Sequence, residues 1–214
     1  MNIVIFGPPG AGKGTQAEHL VKKFKLFKIS TGDLLRNEVH KKTSLSKKIK
    51  SIIEKGSFVS DDLIYNLVEN VVSKEIYFNK LIFDGYPRNL KQVNSLDTLL
   101  KKYKQKISCV LSLKVDLDSI IKRILGRQIC SKCGLIFNEF FYPSNENNHK
   151  CDPKFLEKRS DDNEETIKNR FETYKKETFP VLEHYKNQNL LTEIDGMNKI
   201  DDIYEEISQI IGSL

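Results

Sequence analysis

No apolar run in this 214-residue chain approaches the roughly 20 residues that a membrane-spanning helix needs. The N-terminus lacks a basic opening segment. Its apolar stretch before Gly7 is only about six residues, too short for a secretory signal. These absences predict a cytoplasmic protein with no membrane partner. No internal repeat is visible, and the Asn and Lys enrichment is diffuse, which excludes a repeat array or a low-complexity segment. Cysteine is scarce: of four, three lie between Gly126 and Asp162. A disulfide is not expected in an intracellular chain. Cys109, inside an apolar stretch, reads as a small buried hydrophobe. No aromatic residue flanks the pairs Lys41-Lys42 and Lys47-Lys48, and Lys22-Lys23 and Lys101-Lys102 have only Phe24, Phe27 and Tyr103 nearby, so no extended basic-aromatic stripe forms. The net charge of +6 therefore reads as a solvated Lys-rich surface, with no nucleic-acid partner. It also suits an enzyme whose ligands are polyanions.

What is present is a globular composition, 39% hydrophobic and 30% charged, in a chain long enough for one large or two small domains. It opens with a phosphate loop. Asn2-Ile3-Val4-Ile5-Phe6 is a short apolar strand, and Gly7-Pro8-Pro9-Gly10-Ala11-Gly12-Lys13-Gly14-Thr15 follows directly. A helical pattern then runs from Thr15 to Phe24. Glycines let successive N–H groups turn inward around anionic oxygens, and the helix adds the positive end of its dipole. Lys13 reaches the outer phosphates as a point charge. In the usual loop a Ser or Thr directly after the Lys ligates Mg²⁺; here Gly14 intervenes and Thr15 carries the hydroxyl.

Further strand candidates are Lys28–Ser30, Leu81–Asp84, Ser108–Val115 and Leu190–Ile194. Helical patterns fill the intervals at Thr31–His40, Ser44–Lys55, Ser60–Val72, Asn89–Lys101, Asp118–Leu125, Glu164–Lys176, Val181–Tyr185 and Ile200–Ile211. Short apolar strands alternating with helices predict an α/β fold with a parallel sheet covered on both faces. Thr31–Ser60 and the turn-rich Gly126–Asp162 break the alternation and read as mobile sub-domains on a rigid base. Leu81-Ile82-Phe83-Asp84-Gly85-Tyr86-Pro87-Arg88 is a buried strand ending in an acid, a turn and an Arg. An acid at that end of a parallel strand, beside a phosphate loop, suits hydrated Mg²⁺. Arg88 is placed to bind a second phosphate bidentately.

These stretches, with Ile29-Ser30-Thr31-Gly32-Asp33, Gln92, Arg123-Ile124-Leu125-Gly126-Arg127, Arg159-x-Asp161-Asp162 and Arg170, resemble the adenylate kinase branch of the nucleoside monophosphate kinases. The resemblance runs from Met1 to about Gly212. It implies a P-loop three-layer sandwich with a central parallel sheet, a helical AMP-binding insertion and a small zinc-ribbon-like lid. The implied boundaries are a core of 1–29, 60–125 and 164–214, an AMP-binding sub-domain of 30–59 and a lid of 126–163. The implied reaction is reversible transfer from Mg²⁺-ATP to AMP, giving two ADP, in a monomer.

The resemblance also assigns roles. Gly10, Ala11, Gly12, Lys13, Gly14 and Thr15 hold the ATP phosphates, with Arg123 on the base and Arg127, Ile136, Phe137 and Asn198 lining the ATP site. AMP falls to Thr31, Arg36, Arg88, Gln92, Arg159 and Arg170, with Ser57, Phe58, Val59, Gly85, Tyr86 and Pro87 around it. Arg127, Arg159 and Arg170 close on the transfer site, alongside Lys13, Arg88, Arg123 and Asp84. Attack is direct, by an AMP phosphate oxygen, and closure of both mobile segments excludes water. Opening of the lid is expected to limit turnover. Thr31 and Gln92 favour AMP over other monophosphates, while the donor, ATP or GTP, is less well specified.

Cys130-Ser131-Lys132-Cys133-Gly134 has the shape of a zinc knuckle, and Cys151 lies 18 residues later. Lids that the chain resembles place a Cys or Asp three residues after the third Cys; here that residue is Lys154. The fourth ligand is left between Asp152 and His149, and a metal-free lid stays open. A bound Zn²⁺ is expected to be structural. Gln128 stands where relatives carry an Arg, which removes one charge near the phosphates. A nucleic-acid-binding module with the P-loop as a switch is the reading from another class; it needs a basic stripe that is not visible.

Overall fold

The structure is a computed structural model and describes residues 1–41, 44–54, 59–145 and 149–214. In chain order β1 (Asn2–Phe6), α1 (Lys13–Phe24), β2 (Phe27–Ser30), α2 (Thr31–His40), α3 (Ser44–Glu54) and α4 (Asp61–Val72) form the first part. Then come β3 (Leu81–Asp84), α5 (Leu90–Lys102), β4 (Cys109–Lys114) and α6 (Leu117–Leu125). Three short strands follow, β5 (Arg127–Cys130), β6 (Ile136–Asn138) and β7 (Leu156–Glu157). The chain ends with α7 (Glu164–Thr173), α8 (Phe179–Asn187), β8 (Leu191–Asp195) and α9 (Ile200–Gly212).

The main sheet has five parallel strands in the order β2-β3-β1-β4-β8. Alternation along each strand sends side chains to two faces. Val4 and Phe6 of β1, Leu81 and Phe83 of β3 and Val110 of β4 share one core with Val68 of α4, Leu96 of α5 and Val181 of α8. Ile3, Ile5, Ile82, Cys109 and Leu111 share the other with Leu20 of α1 and Ile207 of α9. Burial on both faces is why these strands read as unbroken apolar runs. Burial also pushes the Cys109 thiol up to about 11, consistent with a packing role. The architecture is the expected α/β arrangement of three layers.

Register places the functional ends side by side. Ile5 and Ser30 both pair with Asp84, so β1, β2 and β3 finish level. From β1 the chain crosses through α1 to β2 on one side, while β4 lies on the other. That divergence opens a crevice beyond the carboxyl ends of the strands. A three-stranded antiparallel sheet, β6-β5-β7, forms within the Gly126–Asp162 insertion.

The structure departs from the sequence expectations at a few boundaries. Helix α1 begins at Lys13, because Gly12 in the left-handed region (φ 90°) is its N-cap. The helix expected over Glu164–Lys176 passes into a π-helical turn at Tyr174–Thr178 before α8. Pro180 has no N–H to return to the preceding turn, and Phe179 N–H donates to Tyr174 O, five residues back.

The opposite end of the sheet is closed by buried amides. Asn2 Oδ1 accepts from Leu81 N–H at 3.2 Å, and its Nδ2 donates to Gln105 Oε1 and Lys106 O, both at 3.1 Å. Gln105 also accepts from Asn79 N–H and donates to Val72 O. Asn2→Leu would leave several buried partners unsatisfied. It is expected to lower unfolding free energy by about 1–3 kcal/mol in urea titration, with nucleotide affinity unchanged; an unshifted midpoint would refute this.

Candidate functional site

The crevice at the strand ends is a cavity of about 780 Å³. Its floor is the loop between β1 and α1. Gly10 (φ 79°) is required there, since a Cβ would meet Ile124 Cγ1 of α6 at 2.7 Å. Gly10, Ala11, Gly12, Lys13, Gly14 and Thr15 all line the cavity. Lys13 Nζ donates to Gly7 O and Pro8 O, each at 2.8 Å. Burial lowers its pKa to about 8; Asp84 opposes that shift, and Arg88, Arg127 and Arg170 add to it. Burial pushes the Asp84 carboxyl up, against the attraction of Lys13 and Lys28.

One end of the cavity is built by β2, α2 and the turn after β3. Thr31, Arg36, Val59, Gly85, Tyr86, Pro87, Arg88 and Gln92 line it. Ser30 caps α2 by accepting from Asp33 N–H, and Thr31 Oγ1 donates to Gly85 O at 3.1 Å. Arg88 Nε donates to Gly85 O at 2.6 Å. Burial, then repulsion by Arg170, pushes the Arg88 guanidinium down. Ser57 and Phe58 lie outside the described residues.

The other end is roofed by the small sheet. Ile136 and Phe137 of β6 line it, with Arg123 of α6 and Asn198 after β8. Arg123 Nη2 donates to Gly196 O at 2.9 Å, which ties α6 to the segment carrying Asn198.

Between the two ends stand Arg127, Arg159 and Arg170. Arg127 meets Asp162 through two N–H groups, Nε to Oδ2 at 2.8 Å and Nη2 to Oδ1. Arg170 donates to Asp161, and Arg36 to Asp33. Burial pushes the Asp161 carboxyl up, but Arg170, Arg36 and Arg159 outweigh it and hold it low. Arg159 Nε is buried without a hydrogen-bond partner among the described residues. Burial, then the charges of Arg127 and Arg36, pushes its guanidinium well down. Guanidinium stays charged at neutral pH, so these shifts reflect first the cost of burial and second repulsion among the neighbouring cations. A cleft of crowded, partly buried cations is a receptor for polyanions.

Sequence reading gave no role to Asp33, Asp161 and Asp162. Their signals were local: an acid three residues before Arg36, and the Arg159-x-Asp161-Asp162 spacing. It also missed Asn138, whose Nδ2 donates to Arg123 O while its Oδ1 accepts from Phe140 and Phe141 N–H. Gln128 does not line the cleft among the described residues.

Of the two candidates for the fourth ligand, the structure groups His149, not Asp152, with the cysteines. The ligand atoms of Cys130, Cys133, His149 and Cys151 all lie within 4.8 Å of one another. Asp152 is not part of the group. Its carboxylate accepts from Lys154 N–H at 2.9 Å, caps a short 3₁₀ turn and is half exposed, paired with Lys154 Nζ. His149 Nε2 is buried and has no hydrogen-bond partner among the described residues, which fits a metal-ligating nitrogen. Three thiols and an imidazole are a complete set for structural Zn²⁺. The His149 ring packs on Phe137, centroids 4.7 Å apart, which couples the cluster to the cleft wall.

Taken together, a Gly-Lys phosphate loop, an acid on the adjacent strand end and several partly buried arginines on the wall of one cavity define a P-loop phosphotransferase. Comparison with known proteins agrees. Residues 5–190 match the family model described as Adenylate kinase. The chain is 46% identical over 211 residues to the adenylate kinase of Pelagibacter ubique (strain HTCC1062), covering 99% of each. It is 43% identical over 216 residues to that of Chloroherpeton thalassium (strain ATCC 35110 / GB-78), covering 100% of this chain and 99% of the relative. It is 38% identical over 213 residues to that of Archaeoglobus fulgidus, covering 99% and 98%. The chain belongs to the adenylate kinase family.

Two outcomes follow from this geometry. The folded pKa of Lys13, about 8, lies below its ordinary 10.5. Between those values the unfolded chain binds more protons, so stability contributed at this site rises with pH through that window. Lys13→Met should therefore be more stable than the parent at pH 7, and the gap should close across the window; parallel pH profiles in thermal melts would contradict this. Elemental analysis should find about one zinc per chain. His149→Ala should weaken zinc binding by more than the roughly 10–100-fold typical of an outer-shell partner, while Asp152→Ala leaves it intact. The reverse pattern would restore Asp152 as the ligand.

Proposed function

We infer that the protein transfers the terminal phosphoryl group of Mg²⁺-ATP reversibly to AMP, giving two ADP. The observation that carries this is one cleft whose wall brings together the phosphate loop, Thr31, Arg88 and Gln92, and Arg127, Arg159 and Arg170. The donor phosphates rest on Gly10–Thr15, with Lys13 on the group in transfer and Asp84 holding the hydrated Mg²⁺ that enters with ATP. Arg123, Ile136, Phe137 and Asn198 surround the donor base. Arg36 and Arg88 take the AMP phosphate; Thr31, Val59, the Gly85–Pro87 turn and Gln92 surround its nucleoside.

Both reactants are anionic, so the barrier is chiefly repulsion and positioning. An AMP phosphate oxygen attacks in line, and no side chain needs to form a covalent intermediate. Lys13, Arg88, Arg127, Arg159 and Arg170 spread the charge that develops on the equatorial oxygens. Exchange of Asp161 and Asp162 for phosphate oxygens as partners of Arg170 and Arg127 would link nucleotide binding to closure. Residues 1–29, 60–125 and 164–214 form the rigid core, 30–59 the AMP-binding sub-domain and 126–163 the lid, whose opening limits turnover. Cys130, Cys133, His149 and Cys151 would hold zinc, which would supply a structural staple to a lid with little core of its own.

The enzyme acts as a cytoplasmic monomer without nucleic-acid partners. No described helix is long and apolar enough to cross a membrane. A coupled assay of ADP formation with Mg²⁺-ATP tests the reading, with AMP, GMP, CMP and UMP compared as acceptors. AMP should be strongly preferred, and Arg88→Ala should lower kcat/KM for AMP by about 10²–10³-fold. Preference for another acceptor, or transfer to none, would overturn it.

A further inference from the structure

Gln92 lies on the first turn of α5 with its side chain almost wholly buried in the cleft wall. Its amide is held from both sides by partners whose polarity cannot change. Arg88 N–H donates to Oε1 at 2.7 Å, and Nε2 donates to Asp61 Oδ1, also at 2.7 Å. A backbone N–H is only a donor, and an ionised carboxylate is only an acceptor. Asp61 is itself held. It opens α4, its Oδ1 also receives Asn89 Nδ2 at 3.4 Å, and Lys91 Nζ lies 3.6 Å from its Oδ2.

Rotating the Gln92 amide by half a turn would set Oε1 against the Asp61 carboxylate and an N–H₂ group against Arg88 N–H. Both contacts would become repulsive, in a buried setting where such errors are costly. One N–H and one lone pair of Gln92 remain unused among the described residues. They are thus presented to the cleft in one fixed order.

That order matters for the base. Adenine offers an acceptor at N1 beside a donor at the 6-amino group. Guanine and hypoxanthine offer the reverse, a donor at N1 beside an acceptor at O6. An unrestrained glutamine serves either pattern by flipping. We propose that Asp61 is a specificity-determining positioning residue: by fixing the Gln92 amide it makes the acceptor site read 6-amino purines and reject 6-oxo purines. Discrimination here comes partly from penalising the wrong partner. This rests on the reading of Gln92 as a contact to the AMP base.

The test compares kcat and KM for AMP, GMP and IMP in the parent, Asp61→Asn and Asp61→Glu. An Asn can present either its oxygen or its nitrogen to Gln92, which removes one of the two contacts that oppose the flip and leaves only Arg88 N–H against it. Asp61→Asn should raise KM for AMP with kcat nearly unchanged. It should also cut the kcat/KM preference for AMP over GMP and IMP by about tenfold or more, the scale of one bidentate base contact. Asp61→Glu keeps an acceptor and should retain most of the preference. In a Gln92→Ala background, Asp61→Asn should leave the preference unchanged, because its effect passes through the amide. Equal losses for all acceptors in Asp61→Asn, or the same change with and without Gln92, would overturn the proposal while leaving the assigned reaction standing. A parent enzyme that does not distinguish AMP from GMP would overturn the underlying reading as well. Should Asp61→Asn be unstable, the side-chain amide signals of Gln92 in the parent decide. A Gln92 N–H shifted downfield by the carboxylate and slow to exchange is expected; rapid averaging of the two amide protons would overturn the lock.

Discussion

The constraint on which the structure turns is like-charge repulsion in a confined space. Lys13, Arg36, Arg88, Arg127, Arg159 and Arg170 share the wall of one cavity, and burial strips them of much of the solvent that would screen them. Burial first, and neighbouring guanidinium groups second, push Lys13, Arg88 and Arg159 down. The arrangement persists because the scaffold over-determines it. A five-stranded sheet buried on both faces fixes the loop ends, and Asp33, Asp161 and Asp162 hold three of the arginines in place. Such a cleft is preorganised for charge that only substrates can bring.

The division of labour across the sheet follows from its parallel direction. At the carboxyl ends, β1, β2 and β3 deliver the phosphate loop, Thr31 and Asp84 to one crevice. At the amino ends, Asn2 and Gln105 close the sheet with buried amide hydrogen bonds. The small antiparallel sheet is different. Its strands are two to four residues long, too short to stand alone. A metal in the Cys130, Cys133, His149 and Cys151 cluster would stabilise it in place of a core.

Much of this was legible in the chain because its signals are local. The strands β1 and β3 are unbroken apolar runs, and the Gly7–Thr15 spacing carries its own chemistry. What escaped depends on where distant segments meet. β5, β6 and β7 are short and mixed in polarity, so periodicity does not mark them. The choice of His149 over Asp152 depends on how the chain returns across the small sheet, and Asp152 is diverted by a local turn to Lys154 N–H. Asp61 and Gln92 are 31 residues apart, so their pairing has no sequence signature. Locally Asp61 is only one of two acids in the first turn of α4.

Bound phosphate would compensate the crowded, partly buried cations of the cleft. Lys13 reports this most directly, because its pKa of about 8 must rise when phosphate oxygens replace Gly7 O and Pro8 O as its partners. Calorimetric titration of Mg²⁺-ATP near pH 8.5, in buffers of different ionisation enthalpy, measures the protons exchanged on binding. The account predicts net proton uptake by the parent protein and its loss in Lys13→Met. Binding without proton uptake in the parent, or equal uptake in both proteins, would contradict it.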